Sequence, residues 1–350
     1  MSTTVNQARS AAENWVNEVA AAWPGFDGAF LHGSIAWLAG DAILPATSDV
    51  DIIVVVSGEP PPNPGKFRHE GTLLDVSTLP ADQIQSAEDI LGISHLAGSL
   101  RRSSILADPT GHLVAIQQQI AQNFARPDFT LRRCKHARFK IMMYLGSINS
   151  EQPFNENVTS WLFGTGVMTH VLLVAGLRNP TVRSRYVAVH DLLAEYGRLD
   201  IHEELLDLLG SANLRRPQVE RHLATMTEAF DAAKSVIRTP VFFATDLSDV
   251  ARPIAIDGTQ EMIERGFYRE AMFWIAATWS RCQHVFSVDA PEMQERFEPA
   301  YRAMLADLGI TSFEDLLARS EGVQAYLPRL MSIADEIIAA NREISIRTNS

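Results

Sequence analysis

The chain has 350 residues, enough for two domains with substantial cores, and its composition of 46% hydrophobic and 21% charged residues is typical of globular proteins. Its formal net charge of −12 makes nucleic acid an unlikely partner, because proteins that hold polynucleotides usually present a basic surface. Two cysteines, Cys134 and Cys282, form neither a disulfide framework nor a metal-ligand spacing, which favours a reducing cytoplasm. The N-terminus lacks the features of a signal peptide, and no uncharged apolar stretch approaches the ~18 residues of a membrane span, so we expect no membrane partner.

The first 125 residues predict a mixture of helices and strands. A first helix follows from apolar residues at helical spacing, and it should end at Pro24-Gly25. A proline-rich loop, 58–65, should separate the second and third strands. In chain order, the predicted elements are a helix over 5–23, strands over 28–32, 50–56 and 72–79, a helix over 82–102, a short strand within 104–111 and a helix over 112–124.

After residue 125 only helical patterning remains. The segment Ala125–Asp128 is the best candidate for a domain boundary, because a proline there interrupts the helical pattern. We therefore expect an N-terminal α/β (α+β) domain over 1–125 with a small mixed sheet, followed by an all-α helical-bundle domain over 126–350. The predicted helices of this second part cover 131–148, 158–177, 182–196, 201–209, 219–237, 260–286 and 327–346.

Two short motifs in the first part indicate a site for phosphates and a metal ion. Gly33 permits a close approach of the backbone to a ligand, and Ser34 can begin a helix whose free N–H groups attract an anion. Asp49 and Asp51 stand at the start of the second strand, where alternation places both on one face. Two such carboxylates can bind one or two Mg²⁺ ions, which prefer hard oxygen ligands and complete their shell with substrate phosphates.

A third carboxylate lies on the next predicted strand. Period-two alternation puts Asp75 on one face with Leu73 and Ser77, while Leu74 and Val76 face the opposite way. The alternative is an edge-strand aspartate that faces water.

This order of motifs resembles the DNA polymerase beta-like nucleotidyltransferase superfamily, in which a hydrophobic strand, Gly-Ser, a short helix and Asp-x-Asp on the next strand follow one another. In layout the chain is most similar to the streptomycin/spectinomycin adenylyltransferases. The resemblance implies an N-terminal nucleotidyltransferase domain, a helical acceptor-binding domain and an active site in the cleft between them. It also implies Mg²⁺-dependent transfer of a nucleotide, AMP from ATP, to a hydroxyl of a small molecule, with an aminoglycoside-like antibiotic as one candidate. By the same resemblance, Gly33 and Ser34 hold the triphosphate, and Asp75 is either the general base or a further metal ligand.

Two arginines in the helical part are candidate nucleotide ligands. The sequence predicts a helix that begins after Thr181 as N-cap, with Arg183 and Arg185 in its first turn. Cations oppose the helix dipole there, so the pair favours an anionic partner. A basic residue in the corresponding place reaches the triphosphate in the adenylyltransferases that the chain resembles. The alternative is that these arginines form ordinary ion pairs with Asp191 or Glu195, or contact solvent.

Two other functions are compatible with these residues. The first is a nucleotidyltransferase whose acceptor is a protein side chain or a metabolite, and it would use every residue named above. The second is a non-catalytic module that senses nucleotide, which the presence of a third acid disfavours. The sequence carries no indication of the oligomeric state.

Overall fold

The computed structural model describes residues 3–344. These residues form a mixed α/β structure that is 63% helical and contains one small five-stranded mixed sheet, so the predicted mixture of a small sheet with many helices is confirmed at this level. Within the described residues, every strand of the sheet lies between Phe26 and Ala107.

The sheet has the strand order β3-β4-β2-β1-β5. Its only parallel pair among the described strands is β2 with β4, and the other pairs are antiparallel. The strands are β1 (Phe26–His32), β2 (Val50–Val56), β3 (Gly65–His69), β4 (Thr72–Pro80) and β5 (Ile105–Ala107).

The central strand β2 is aliphatic because both of its faces are buried. Val50, Ile52, Val54 and Val56 pack into one core, together with the apolar face of helix α1 (Val5–Glu18). Ile53 and Val55 point to the opposite face and pack with α2 (Ala87–Leu91) and α3 (His112–Asn123). The predicted alternation along this strand is therefore confirmed, and it places Asp51 on the face of Ile53 and Val55.

The prediction of one continuous helix over 82–102 is wrong. A 3₁₀ turn covers Ala81–Ile84, and the only α-helix in this stretch is α2, which begins where the Ser86 hydroxyl accepts a hydrogen bond from the Asp89 N–H. The helix ends at Gly92, and the remaining residues to Arg102 form turns. Glycines at 92 and 98 lower the helical preference of this segment. The Ser86 cap sets the start of the short helix inside the predicted range.

The rest of the described chain is helical, with bounds that differ from the predicted ones in places. The single helix predicted over 260–286 is divided at Gly266, whose φ of +96° ends one helix before the next begins. The helix predicted over 327–346 starts earlier, and its last two residues lie outside the described range. These helices are α4 (Pro127–Gly146), α5 (Phe154–Ala175), α6 (Arg185–Glu195), α7 (Leu199–Leu209), α8 (Arg216–Val236), α9 (Gly258–Glu264), α10 (Tyr268–Asp289), α11 (Pro291–Asp307) and α12 (Phe313–Ala340).

Contacts divide the chain into two compact units. The first contains the sheet and, among the described residues, comprises 3–136, 177–181 and 338–344. The second comprises Ala137–Gly176 and Val182–Ile337 and is built from helices. The domain boundary after residue 125 stays a prediction.

The expectation that no apolar stretch approaches the length of a membrane span is wrong for one segment. Among the described residues, helix α5 is long and apolar enough to cross a membrane by length and composition alone. Its most apolar window is 78% buried within the protein, as in the core helix of a globular fold. The cytoplasmic location remains a prediction.

Candidate functional site

A single row of paired residues crosses four strands of the sheet. Lys66 on β3 is the register partner of Asp75 on β4, and Asp75 is the partner of Asp51 on β2. Asp51 is in turn the partner of His32 at the end of β1. Register partners point to the same face of a sheet, so one cation, two carboxylates and one imidazole lie side by side on one face.

The β3–β4 hairpin fixes half of this row. Glu70 and Gly71 form its two-residue turn, and both have positive φ, +48° and +78°. Positive φ at both central residues is the geometry of a type I′ turn, whose twist matches that of the strands it joins. This turn pairs His69 with Thr72 and thereby brings Lys66 opposite Asp75.

A third carboxylate, that of Asp49 directly before β2, joins the two carboxylates of the row. One oxygen from each of Asp49, Asp51 and Asp75 lies within 4.8 Å of the others, and all three residues are half-buried. The Lys66 ammonium bridges two of them: its Nζ lies 3.0 Å from Asp49 Oδ2 and also donates a hydrogen bond to Asp75 Oδ2. Three carboxylates and one ammonium leave a formal excess of two negative charges in the cluster.

Gly33 holds the backbone against this cluster. Its φ is +61°, and a Cβ atom at this position would overlap the carboxylate of Asp51. Gly33 begins a 3₁₀ helix, Gly33–Trp37, which directly follows β1 and includes the half-buried Ser34. Glycine is required here both for the left-handed backbone and for the close approach of the acid.

His32 closes the row on its other side. Burial lowers the pKa of His32 to about 4, so its imidazole is neutral at pH 7. A hydrogen bond of 2.7 Å joins its Nδ1 to the hydroxyl of Ser99. The positive charge beside the carboxylates of the row therefore comes from Lys66 and not from the histidine.

The residues present fit a magnesium ion. The donor set consists of hard carboxylate oxygens, which is the chemistry that Mg²⁺ prefers. The excess of negative charge suits a divalent cation, and the missing Cβ of Gly33 leaves the Asp51 carboxylate in place beside the backbone. Asp49 and Asp51 would supply the primary ligands, and Asp75 could supply a third.

The two predicted arginines lie in the helical unit, and the local prediction for them is partly wrong. Helix α6 begins at Arg185 after Ser184, and Thr181 is not its N-cap, so Arg183 precedes the helix. Arg183 is half-buried and packs against Gly258, where a Cβ atom would overlap its Nη1. Residues 182–184 form a bend and a turn, so the helix starts later than predicted.

Arg185 is buried, at 1% exposure, with its guanidinium carbon 4.1 Å from the centroid of the Phe273 ring. Its Nε donates a hydrogen bond to the Val182 carbonyl, while its Nη1 has no hydrogen-bond partner among the described residues. Burial lowers the pKa of Arg185 to about 9. Asp191 Oδ1 lies 3.1 Å from Nδ1 of His190. The phosphate-binding role of both arginines and the alternative of ion pairing with Asp191 or Glu195 stay predictions.

Sequence reasoning missed two members of the row, Lys66 and His32. Lys66 directly follows the proline-rich loop, and no strand was predicted there. The one available signal was the Glu70-Gly71 pair before the predicted third strand, since a glycine-containing two-residue turn is typical of a hairpin. His32 was included in the first predicted strand, but only the observed register places it beside Asp51.

Comparison with protein-family models finds no match for this sequence, and comparison with curated proteins finds none either.

Proposed function

We propose that the protein is a Mg²⁺-dependent nucleotidyltransferase that moves a nucleoside monophosphate, AMP from ATP, onto a hydroxyl of a small molecule. The observation that carries the proposal is the convergence of Asp49, Asp51 and Asp75 on one face of the sheet, directly against the backbone of Gly33. Three oxygens so close together form a set suited to a divalent cation that carries a triphosphate.

In this proposal the two parts of the chain have different tasks. The sheet and its helices form an N-terminal nucleotidyltransferase domain over 1–125, and the helices of 126–350 form an all-α domain that binds the acceptor. An aminoglycoside-like antibiotic is one candidate acceptor, and the protein would act in the cytoplasm.

Each residue of the site has a distinct role. Asp49 and Asp51 would hold Mg²⁺, and Gly33 and Ser34 would hold the outer phosphates through their backbone N–H groups. Bound Mg²⁺ would supply neutralisation of the charge that develops on the phosphoryl and leaving oxygens. Arg183 and Arg185 are proposed to contribute to phosphate binding.

Asp75 is proposed to accept the proton of the acceptor hydroxyl. A bond then forms between the acceptor oxygen and the α-phosphorus, the bond from this phosphorus to the bridging oxygen breaks, and pyrophosphate leaves. A general base of this kind typically contributes about 10²–10⁴-fold to the rate. The other role for Asp75, as a third metal ligand, predicts a loss of nucleotide affinity as well as of rate when its charge is removed.

The proposal is tested by incubating the protein with Mg²⁺, mixed nucleotides and a library of hydroxylated small molecules, followed by mass spectrometry. We expect a nucleotidyl adduct and released pyrophosphate with the wild type, and neither with Asp49→Asn or Asp51→Asn. Asp89→Asn is a matched control, because Asp89 is an exposed residue on α2 of the same unit.

Thermal unfolding provides a readout that needs no acceptor. Mg²⁺ with ATP should raise the melting temperature of the wild type and of Asp89→Asn, and have little effect on the two site variants. Equal shifts in all four proteins would contradict the site assignment. Stabilisation of the wild type without pyrophosphate release for any acceptor would instead favour a nucleotide-sensing module.

A further inference from the structure

Lys66 is a cation built into the acidic cluster. Its Nζ contacts carboxylates from two different segments of the chain, Asp49 before β2 and Asp75 within β4. The Lys66 side chain is only 10% exposed, although lysine ordinarily extends into solvent. The ammonium is therefore enclosed among the carboxylates and is not a mobile surface charge.

The position of this ammonium is determined by the sheet. Lys66 is the register partner of Asp75, and the Glu70-Gly71 turn fixes that register. Because partners on adjacent strands share a face, the lysine side chain must run along the same face as the three acids. A change of register by one residue would move it to the opposite face.

The charge and the geometry both limit how many metal ions the cluster can take. Two-metal sites place their ions ~3.5–4 Å apart and need carboxylates that bridge or flank both ions. Here the space between Asp49 and Asp75 contains Lys66 Nζ, so those two acids already share a cation. The remaining excess of two negative charges is balanced by a single divalent ion.

We propose that Lys66 takes the place of a second metal ion, so that the site binds one divalent cation at Asp49 and Asp51 while Lys66 positions Asp75. This inference rests on the proposed function, because it assumes that the acidic cluster is a metal site. It makes Lys66 a positioning residue whose removal changes the number of ions bound.

The test is the stoichiometry of Mn²⁺ binding to the full chain without nucleotide, measured by electron paramagnetic resonance and by calorimetric titration. We expect one Mn²⁺ per wild-type chain. Lys66→Met, which keeps the length of the side chain and removes its charge, should bind two ions whose spectra show mutual spin coupling, as expected for ions ~4 Å apart.

Two control variants accompany this measurement. Lys66→Arg retains the positive charge and should bind one ion. Lys135→Met removes a charge from an exposed position of α4 and should also bind one ion. Circular dichroism and thermal unfolding establish that each variant is folded. Lys66→Gln, a second neutral replacement, should also bind two ions, and a single ion there would overturn the inference if Lys66→Met does not fold.

The outcomes separate this inference from the proposed function. Two ions in the wild type, or a single ion in folded Lys66→Met, would overturn the role of Lys66 and leave the metal site standing. If neither the wild type nor Lys66→Met binds Mn²⁺, the metal site is overturned, and with it both the proposed function and the role of Lys66.

Discussion

The missing Cβ atom of Gly33 allows the backbone to lie directly against the Asp51 carboxylate. An alanine there would adopt a left-handed backbone at a cost of about 1–3 kcal/mol, and its methyl group would overlap the Asp51 carboxylate. We therefore expect Gly33→Ala to lower the free energy of unfolding and to abolish the thermal stabilisation by Mg²⁺ with ATP.

Gly111→Ala is the matched control for this substitution. Gly111 also has positive φ, +76°, but a Cβ atom there would have no neighbour within 4 Å, and the residue lies outside the acidic cluster. The control should be destabilised to a similar extent by the positive φ of its backbone, and it should retain the thermal stabilisation by Mg²⁺ with ATP. If Gly33→Ala also retains that response, the close approach of Gly33 to Asp51 has no role in ligand binding.

Arg183 offers a cleaner test of phosphate binding than Arg185, because the buried Arg185 also packs on Phe273. Arg183→Ala should raise the KM for nucleotide more than the KM for the acceptor, since the loss would fall on a charge-assisted contact. Steady-state kinetics with each substrate varied in turn measures this difference. Unchanged nucleotide kinetics would assign Arg183 to packing against Gly258.

His202 in the helical unit should make the stability depend on pH. It is 1% exposed, and burial lowers the pKa of His202 to about 4. Glu270 Oε1 lies 3.5 Å away without a hydrogen bond to Nε2, and burial raises the pKa of Glu270, so both groups favour their neutral forms. The unfolded chain binds the histidine proton below about pH 6.5, and the folded chain does so only near pH 4.

His202 contributes stability that is fully present above about pH 6.5 and is lost as the pH falls towards 4. Relative to His202→Gln, the wild type should therefore lose about 2 kcal/mol of unfolding free energy between pH 7 and pH 5. Urea unfolding of both proteins at the two pH values measures the difference, in which the contribution of Glu270 largely cancels. Parallel losses in the two proteins would show that His202 is not desolvated.

At the scale of elements, helix α5 depends on a glycine for its packing. A Cβ atom at Gly166 would overlap the ring of Phe273 on α10 and would lie 2.7 Å from Arg185 Nη1. Glycine has a poor helix propensity, so its presence in the middle of α5 is explained by this close approach. The two helices can approach because the side chain is absent.

Gly166→Ala should therefore destabilise the protein by about 1–3 kcal/mol, the usual cost of overpacking a core. Gly322→Ala is the matched control, since it also lies inside a helix, α12, but its Cβ atom would meet only Leu208 at 3.9 Å. That control should gain about 0.5–1 kcal/mol from helix propensity. Chemical denaturation measures the change in unfolding free energy of each variant. A gain in stability for Gly166→Ala would contradict the packing explanation.

At the scale of the whole molecule, we expect the net charge of −12 to disfavour polynucleotide partners. Polynucleotide binding draws its affinity from neutralised phosphates, which an acidic surface disfavours. We expect labelled single-stranded RNA and DNA to show no saturable binding at micromolar protein and ~0.15 M salt, measured by fluorescence anisotropy. Tight binding that weakens steeply with salt would reveal a basic groove within the acidic protein.

The sequence by itself determined the elements whose patterns are local. The aliphatic run of β2, the alternation that separates Asp51 from Val50 and Ile52, and most helices of the second part follow from side-chain periodicity, which acts within one element. The acids Asp49, Asp51 and Asp75 were identified in the same way, and the structure brings them together.

Only the tertiary structure decided what surrounds those acids. The pairing of β3 with β4 places Lys66 between two carboxylates, and the pairing of β1 with β2 places His32 beside a third. Likewise, the buried position of Arg185 involves a contact with Phe273 on α10, a helix distant in sequence. Register and burial are properties of pairs of elements, and the periodicity of one segment contains no information about its partner.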